Sequence, residues 1–202
     1  MEKFKKIAGI LIVAALAGYV YYDMYYPRPY ALASTFISKD LSNGGMTSVR
    51  EEVKFEIDGQ PYTVTANPGD MDVAALSVGP GRHTVTRGGK TLGEIDIGWF
   101  DGKSIINLDM EPLVVVDVVY AENREKYNEK LNSLPQNTIT VNGRQYTGPF
   151  RYIEPALYLK KDWDYSPAEP TPSEIQSKSA ATVKTELMRL YKFESRFGEA
   201  AR

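Results

Sequence analysis

The chain has 202 residues, a formal net charge of -2 at neutral pH and no cysteine. The absence of cysteine excludes a disulfide framework, a thiolate zinc site and a thiol nucleophile. The small net charge disfavours a nucleic-acid partner, because nucleic-acid-binding proteins normally carry a clustered basic face. With 43% hydrophobic and 25% charged residues, the composition is that of a folded protein with room for one sizeable domain.

The N-terminal stretch predicts a membrane anchor over residues 1–26. Three lysines precede a run without charge, which extends from Ile7 to Tyr22. A helix of this run would measure about 24 Å, slightly less than the ~30 Å hydrocarbon core of a bilayer, and residues up to Tyr26 would complete the span. The residues suited to the two lipid–water interfaces are Lys5, Lys6, Tyr19, Tyr21, Tyr22, Tyr25 and Tyr26.

The charges around this run also predict its orientation. Lysines before it and few positive charges after it indicate a single-pass protein that contacts lipid through residues 7–26, with a cytoplasmic N-terminus and an extracytoplasmic (in a bacterium, periplasmic) body. A cleaved signal peptide is the alternative, because Ala15-Leu16-Ala17 has the small residues that signal peptidase recognises. Pro27 and Pro29 would end the helix, and residues 27–48 would form a short tether.

Residues 49–165 predict a mainly β domain, an antiparallel β-sandwich-like fold. Apolar Val53, Phe55 and Ile57 alternate with charged residues, which is the period of a half-buried strand. Tight hairpin turns are predicted at Asp58-Gly59, Gly88-Gly89 and Asn142-Gly143. The segment "LVVVDVVY" is rich enough in valine to be a central strand, and the charged residues 121–134 predict a helical insert.

Two stretches carry a family resemblance. "VKFEIDGQPYTV", followed by "LSVGPGRHTVTRGGK", resembles the PEGA-type and carboxypeptidase-regulatory-type β-sandwich modules over about residues 53–119. In those modules a strand that ends in an Asp-Gly turn precedes a Pro-Gly-x-His segment, which Pro80-Gly81-Arg82-His83 matches here. The resemblance implies a small extracytoplasmic sandwich that is used for contacts and has no catalytic residues.

The C-terminal part predicts a proline-rich linker over residues 166–171 and a long amphipathic helix over residues 172–197. Thr171, Pro172 and Glu174 have the types and spacing of a helix start. The apolar face of this helix consists of Val183, Leu187, Leu190, Phe193 and Phe197. Two interpretations of this face stay open, since it could pack on its own domain or dock on a protein partner.

Candidate chemistry is sparse, and we expect no catalytic, cofactor-binding or metal-binding residues. His83 is the single histidine, which excludes a multi-histidine metal site. "GWFDGKS" at 98–104 lacks the spacing of a phosphate-binding loop, and Asp70 and Asp72 are weak candidates for calcium ligands. Arg82, His83 and Arg87 gather charge around one hairpin, either as a solvated turn or as a contact loop.

The sequence therefore predicts a non-enzymatic, membrane-anchored extracytoplasmic module with a structural or assembly role in an envelope complex, bound to protein partners. One alternative is an extracytoplasmic ligand- or polymer-binding β-sandwich. Its site would be the loops around residues 79–90, with Trp99 and Trp163 as stacking surfaces if they are exposed. Another alternative is a structural protein of a virion or filament.

Overall fold

The structure is a computed structural model that describes residues 12–22, 26–33, 36–41, 45–50, 52–65, 73–167, 169, 171–175 and 180–198. The chain divides into two units. The first unit comprises Met1–Thr65, Ala74–Leu108 and Leu157–Lys161, and the second comprises Ala66–Val73, Asp109–Ala156 and Asp162–Arg202. The β-rich domain predicted over residues 49–165 is thus divided between two units.

Short strands that alternate buried and exposed residues dominate the first unit. In the first long strand of its main sheet, Val53, Phe55 and Ile57 are buried and the two residues between them are exposed, as the sequence pattern predicts. The elements are helix α1 over residues 12–22 and the strands β1 Tyr30–Leu32, β2 Phe36–Leu41, β3 Gly45–Arg50, β4 Val53–Ile57, β5 Gln60–Val64, β6 Val73–Ala75 (whose first residue falls at the unit boundary), β7 Gly81–Arg87, β8 Lys90–Ile97, β9 Ile105–Asn107 and β14 Tyr158–Leu159.

Two four-stranded sheets share the core of the first unit. The antiparallel sheet has the order β5-β4-β7-β8, and the other has the order β14-β9-β1-β6, in which β1 runs parallel to β9. Phe55 and Val85 from the antiparallel sheet and Ala31 and Ile106 from the other sheet belong to one buried apolar cluster. Two sheets that bury one face each in a common core form a β-sandwich-like arrangement, and the prediction of a mainly β fold is confirmed.

The predicted hairpin turns of the first unit are confirmed. Asp58 and Gly59 join β4 to β5 with φ values of 52° and 78°, and Gly88 and Gly89 join β7 to β8 with φ values of 58° and 74°. Positive φ at both central residues defines the turn type that matches the twist of paired strands. Residues with a β-carbon rarely adopt this conformation, which explains why glycine and a short acidic side chain occupy these positions.

Among its described residues, the second unit contains a three-stranded sheet, a separate hairpin and two helices. Its elements are β10 Leu113–Ala121, α2 Arg124–Ser133, β11 Asn137–Val141, β12 Arg144–Gly148, β13 Phe150–Ile153, β15 Ala181–Arg189 and α3 Leu190–Phe197. Helix α2 lies inside the predicted insert, and the side chain of Asn123 caps it by accepting a hydrogen bond of 2.9 Å from the amide of Lys126. Asn142 and Gly143 form the predicted turn between β11 and β12.

Strand β10 is the centre of the second unit. It pairs antiparallel with β13 on one side and, over nine residues from Leu113 to Ala121, with β15 on the other. Leu113 to Val116 are buried in succession, which is typical of a strand that is covered on both faces. The valine-rich segment is therefore a central strand, as predicted.

The predicted long helix over residues 172–197 is wrong. Residues Ala181–Arg189 form β15, and only Leu190–Phe197 are helical. Residues 171–175 are not helical, and residues 176–179 lie outside the described part. The physical reason is that β15 contains the β-branched residues Thr182, Val183 and Thr185 and gains a nine-residue ladder with β10, and this tertiary pairing outweighs a local helix-start signal.

The predicted transmembrane helix is also wrong. At 1.5 Å per residue, helix α1 over residues 12–22 spans about 16 Å, roughly half of a bilayer core. Residues 1–11 lie outside the described residues. Across the described ranges, no helix has the length and apolar character needed to cross a membrane. This finding contradicts the predictions of a single-pass signal-anchor and of a membrane localisation.

The predicted tether over residues 27–48 is in part a folded segment of the first unit. Strand β1 pairs with β9, and Ala31, Leu32 and Ala33 are buried. The amide of Arg28 donates a hydrogen bond of 2.7 Å to the carbonyl of Gly102. This segment therefore contributes a strand and buried side chains to the core.

Candidate functional site

A short turn at the end of β8 presents two large aromatic side chains to solvent. Its backbone closes through a hydrogen bond of 2.7 Å from the amide of Gly98 to the carboxylate of Asp101 and one of 3.3 Å from the amide of Asp101 to the carbonyl of Gly98. Trp99 and Phe100, between these two residues, are 62% and 72% exposed. We call residues Gly98–Asp101 the aromatic turn.

The carboxylate of Asp101 anchors this turn to the rest of the first unit. The hydroxyl of Tyr158 donates to Oδ2 at 2.9 Å, and Nζ of Lys160 lies 3.3 Å from Oδ1. Burial by itself raises the pKa of Asp101, but the hydrogen bonds from Gly98 and Tyr158 and the charge of Lys160 outweigh it, so the pKa lies below its usual value. The carboxylate is therefore ionised at neutral pH and able to accept all of these bonds.

Tyr158 acts as a fixed donor in this network. Burial, together with the neighbouring charge of Asp101, raises the pKa of the Tyr158 hydroxyl far above its usual value. The hydroxyl keeps its proton at every physiological pH, and the hydrogen bond to Asp101 persists. The aromatic turn is consequently held by groups whose protonation states do not change near neutrality.

Helix α1 extends the apolar surface next to the aromatic turn. The hydroxyl of Tyr21 donates a hydrogen bond of 3.0 Å to the carbonyl of Trp99, and its ring meets the ring of Phe100 edge-on with centroids 5.7 Å apart. A groove of about 520 Å³ lies between them and is lined by Val13, Leu16, Ala17, Val20, Tyr21 and Phe100. We call the aromatic turn together with this face of α1 the aromatic surface.

The residues predicted for a membrane interface fall in or near α1. Tyr19 and Tyr22 are exposed, and Tyr26 stacks on Tyr22 with ring centroids 5.0 Å apart. Tyr21 makes the contacts with the aromatic turn described above. The remaining three predicted residues, Lys5, Lys6 and Tyr25, lie outside the described residues.

The predicted contact loop around the β7–β8 hairpin is only partly exposed. Arg82 is exposed and lies 3.8 Å from Glu94. The side chain of His83 is only 15% exposed and is bonded on both sides of its ring. Arg87 lies at the end of β7, next to the hairpin turn. The structure does not bring the three side chains together into one open surface.

The predicted partner face in the C-terminal part is largely internal. Val183 and Leu187 lie on β15, whereas Leu190, Phe193 and Phe197 lie on α3. Leu187 and Phe193 are buried, and Leu190 and Phe197 pack against the apolar cluster of the second unit. Of the two interpretations left open by the sequence, the structure therefore shows packing within the unit.

The two tryptophans have opposite environments. Trp99 is exposed, whereas Trp163 is buried at 5% exposure, so only Trp99 is placed to stack on a ligand. The acidic pair Asp70 and Asp72 lies outside the described residues. Within the described part of the chain, no cluster of three or more histidine, aspartate or glutamate side chains is placed to bind a metal ion.

Sequence reasoning missed Phe100, Asp101 and Tyr158 as members of a site. The segment "GWFDGKS" contained a usable signal, because two adjacent bulky aromatic residues between glycine and Asp-Gly form a turn too short to bury both side chains. The role of Tyr158 had no such signal, since its contact with Asp101 joins residues far apart in the chain. Only the folded sheet β14-β9-β1-β6 brings them together.

Comparisons with protein-family models, with curated proteins and with solved structures gave no match to this chain in any of the three. The resemblance to PEGA-type modules therefore stays a prediction. Function has to be argued from the geometry of the aromatic surface itself.

Proposed function

We propose that the protein is a non-enzymatic binding module that docks a partner protein on the aromatic surface of its first unit. The observation that carries the proposal is the exposure of Trp99 and Phe100 side by side, at 62% and 72%, on a turn fixed by hydrogen bonds. Covering two such side chains with a partner removes a large apolar area from water. Aromatic side chains at the centre of an interface commonly contribute most of the binding free energy.

The shape of the surface favours a partner that inserts apolar side chains. The groove beside Phe100 is lined by aliphatic and aromatic residues of α1 and by Phe100 itself. The groove has a volume of about 520 Å³ and is widely open to solvent, so a partner surface can reach it directly. The protruding aromatic turn and the apolar groove beside it together suit a partner surface of complementary shape.

The network around Asp101 supports the same proposal. Contacts from α1, from β14 and within the turn itself fix the aromatic turn. A turn that is ordered before binding loses little conformational entropy when the partner arrives. A structural or assembly role in a larger complex is the setting in which such a docking module operates.

A photo-crosslinking experiment tests the proposal. A photoreactive phenylalanine analogue replaces Phe100 in the full chain, and the matched control carries it at Tyr191, which is 43% exposed on α3. We expect a discrete crosslinked protein from position 100 in the producing cells, absent from position 191 and lost when Trp99→Ala is added. Equal crosslinking patterns from both positions, or a pattern unaffected by Trp99→Ala, would contradict the proposal.

A second candidate function, binding of a polymer or sugar by stacking on Trp99, is favoured by the exposure of that ring. Because the sequence has two tryptophans, a Trp163→Phe variant leaves Trp99 as the single tryptophan, whose emission can be excited selectively over that of the tyrosines. A saturable change in its fluorescence with cell-wall sugars, together with no protein crosslink from position 100, would select this candidate. A flat response would eliminate it.

A further inference from the structure

The ring of His83 is held between two oxygen atoms in the first unit. Its Nδ1 lies 2.7 Å from Oδ2 of Asp58, and its Nε2 lies 3.0 Å from the carbonyl oxygen of Gly79. The His83 side chain is only 15% exposed and its contact with Gly79 is partly buried, whereas the Asp58 side chain is 52% exposed. Both ring nitrogens therefore face a group that can only accept a hydrogen bond.

A neutral imidazole cannot satisfy both contacts. It carries one N–H, whereas the imidazolium form carries two. When the second proton leaves, one ring nitrogen and the oxygen facing it both present lone pairs at about 3 Å, and that contact is lost. Histidine is the side chain whose charge ordinarily changes between about pH 5 and 8.

The two contacts differ in how firmly the partner is held. Asp58 has further bonds, because its Oδ1 accepts from the amide of Thr84 at 2.8 Å and its own amide donates to the carbonyl of Thr84 at 3.0 Å. The backbone bond from Thr84 and then the bond from His83 lower the pKa of Asp58. The carboxylate thus stays ionised, and the one N–H of the neutral ring stays on Nδ1, where it donates to Asp58. The contact between Nε2 and the Gly79 carbonyl is therefore the one that opens.

We propose that His83 is a protonation-dependent latch, which holds the peptide of Gly79 against the β4–β5 turn when the ring is charged and releases it when the ring is neutral. The segment before β7 is the part that moves. Tyr26 lies next to it, since a β-carbon at Gly79 would be 3.5 Å from the Tyr26 hydroxyl. Tyr26 in turn stacks on Tyr22 of α1. Release of the latch therefore loosens the packing at the C-terminal end of that helix.

Charged and titratable groups lie on the strands and the turn around the ring. They are Asp58 in the β4–β5 turn, Tyr62 on β5, and Arg82, Glu94 and Asp96 on β7 and β8, of which the last three lie on the opposite face of these strands from His83. Arg82 is paired with Glu94, which offsets the one positive neighbour. Asp58 is the group in direct contact, with its Oδ2 at hydrogen-bond distance from Nδ1 of the ring.

Nuclear magnetic resonance of the isotopically labelled full chain tests the latch in the absence of any partner, so the result is separate from that of the docking proposal. His83 is the single histidine, so the imidazole nitrogen signals need no assignment among histidines. We expect the Gly79 carbonyl carbon and the Tyr26 ring signals to shift with pH at the same midpoint as the imidazole. The amides before β7 should also lose order as pH rises through that midpoint.

Two variants complete the test. His83→Gln should abolish the pH response at Gly79 and Tyr26, whereas Arg82→Gln, at the neighbouring exposed position, should retain it. The proposal is overturned if the wild-type imidazole titrates while the Gly79 carbonyl signal stays constant, or if His83→Gln responds like the wild type. Should His83→Gln fail to fold, the wild-type titration alone decides, because it shows directly whether Gly79 follows the ring.

Discussion

The ring of Phe193 meets the ring of Phe150 edge-on, with centroids 4.9 Å apart and planes at 89°. Phe193 also contacts Tyr146 and Phe197, and it is fully buried. Edge-to-face pairs of this kind stabilise a core beyond the area that they bury. The contact ties the short helix α3 to β13, and α3 is consequently part of the core of the second unit.

Phe193→Ala is expected to reduce the free energy of unfolding of the second unit by about 3–5 kcal/mol, the cost of deleting a fully buried phenylalanine. Tyr191→Ala on the same helix is the control, since Tyr191 is 43% exposed and its loss should cost far less. Denaturant unfolding of both variants measures the difference. Equal costs would show that α3 is not packed as described.

Asn142 provides a test of backbone strain. It has a φ of 49° in the β11–β12 turn, and its Nδ2 donates to Oε2 of Glu194 at 2.8 Å. Asn142→Gly loses the side-chain bond but tolerates positive φ, whereas Asn142→Ala also forces a β-carbon into the left-handed region, at a further cost of about 1 kcal/mol. Unfolding free energies should rank wild type above Gly and Gly above Ala, and the reverse order of the two variants would refute the strain argument.

Acid should destabilise the first unit in part through Asp101. Its pKa is lower in the folded than in the unfolded chain, so its contribution to stability is complete above the unfolded value, about 3.9, and disappears as pH falls through the folded value. Asp101→Asn should flatten the loss of stability below about pH 4. Asp96→Asn, at an exposed position on β8, serves as the control, and urea unfolding at several pH values gives the comparison.

Some of the acid response will survive in Asp101→Asn, because the pKa of Asp58 is also lowered, first by the Thr84 amide and then by His83. The decisive quantity is the slope of the unfolding free energy against pH, compared between the Asp101 and Asp96 variants. Identical slopes would mean that the Asp101 network does not form.

Tyr158→Phe should loosen the aromatic turn without unfolding the unit. The change removes the hydroxyl that donates to Asp101 at 2.9 Å, and a bond to a charged group typically contributes about 1.5–3 kcal/mol. In the Trp163→Phe background, the fluorescence anisotropy of Trp99 should be lower in the Tyr158→Phe variant than in the protein that retains Tyr158. Tyr152→Phe, in the second unit, should leave the anisotropy unchanged. A fall of equal size in the Tyr152→Phe variant would contradict the role of the Tyr158 hydroxyl in fixing the turn.

Turn chemistry made the hairpins predictable from the sequence. Asp58-Gly59, Gly88-Gly89 and Asn142-Gly143 all join paired strands, because a two-residue turn with positive φ is specified by its own residues. The valine-rich β10 was equally clear, since its composition already indicates burial on both faces. These features depend on neighbours along the chain.

The C-terminal strand and the site were not predictable in the same way. Thr182, Val183 and Thr185 favour a strand, but the helix-start signal at Thr171 competed with them, and only the ladder with β10 decides between the two. The aromatic turn depends on Tyr158 and Lys160, which follow it by more than fifty residues. Contacts of such separation leave no periodic trace in the sequence.

The ladder between β10 and β15 also has a consequence for synthesis. Leu113 pairs with Arg189, so on a translating ribosome the valine-rich β10 emerges well before the strand that completes its sheet. During that interval one side of β10 offers unsatisfied backbone groups and apolar side chains to any neighbouring chain. The nascent protein thus passes through a period of high aggregation risk, which ends only when Ala181–Arg189 has left the ribosome.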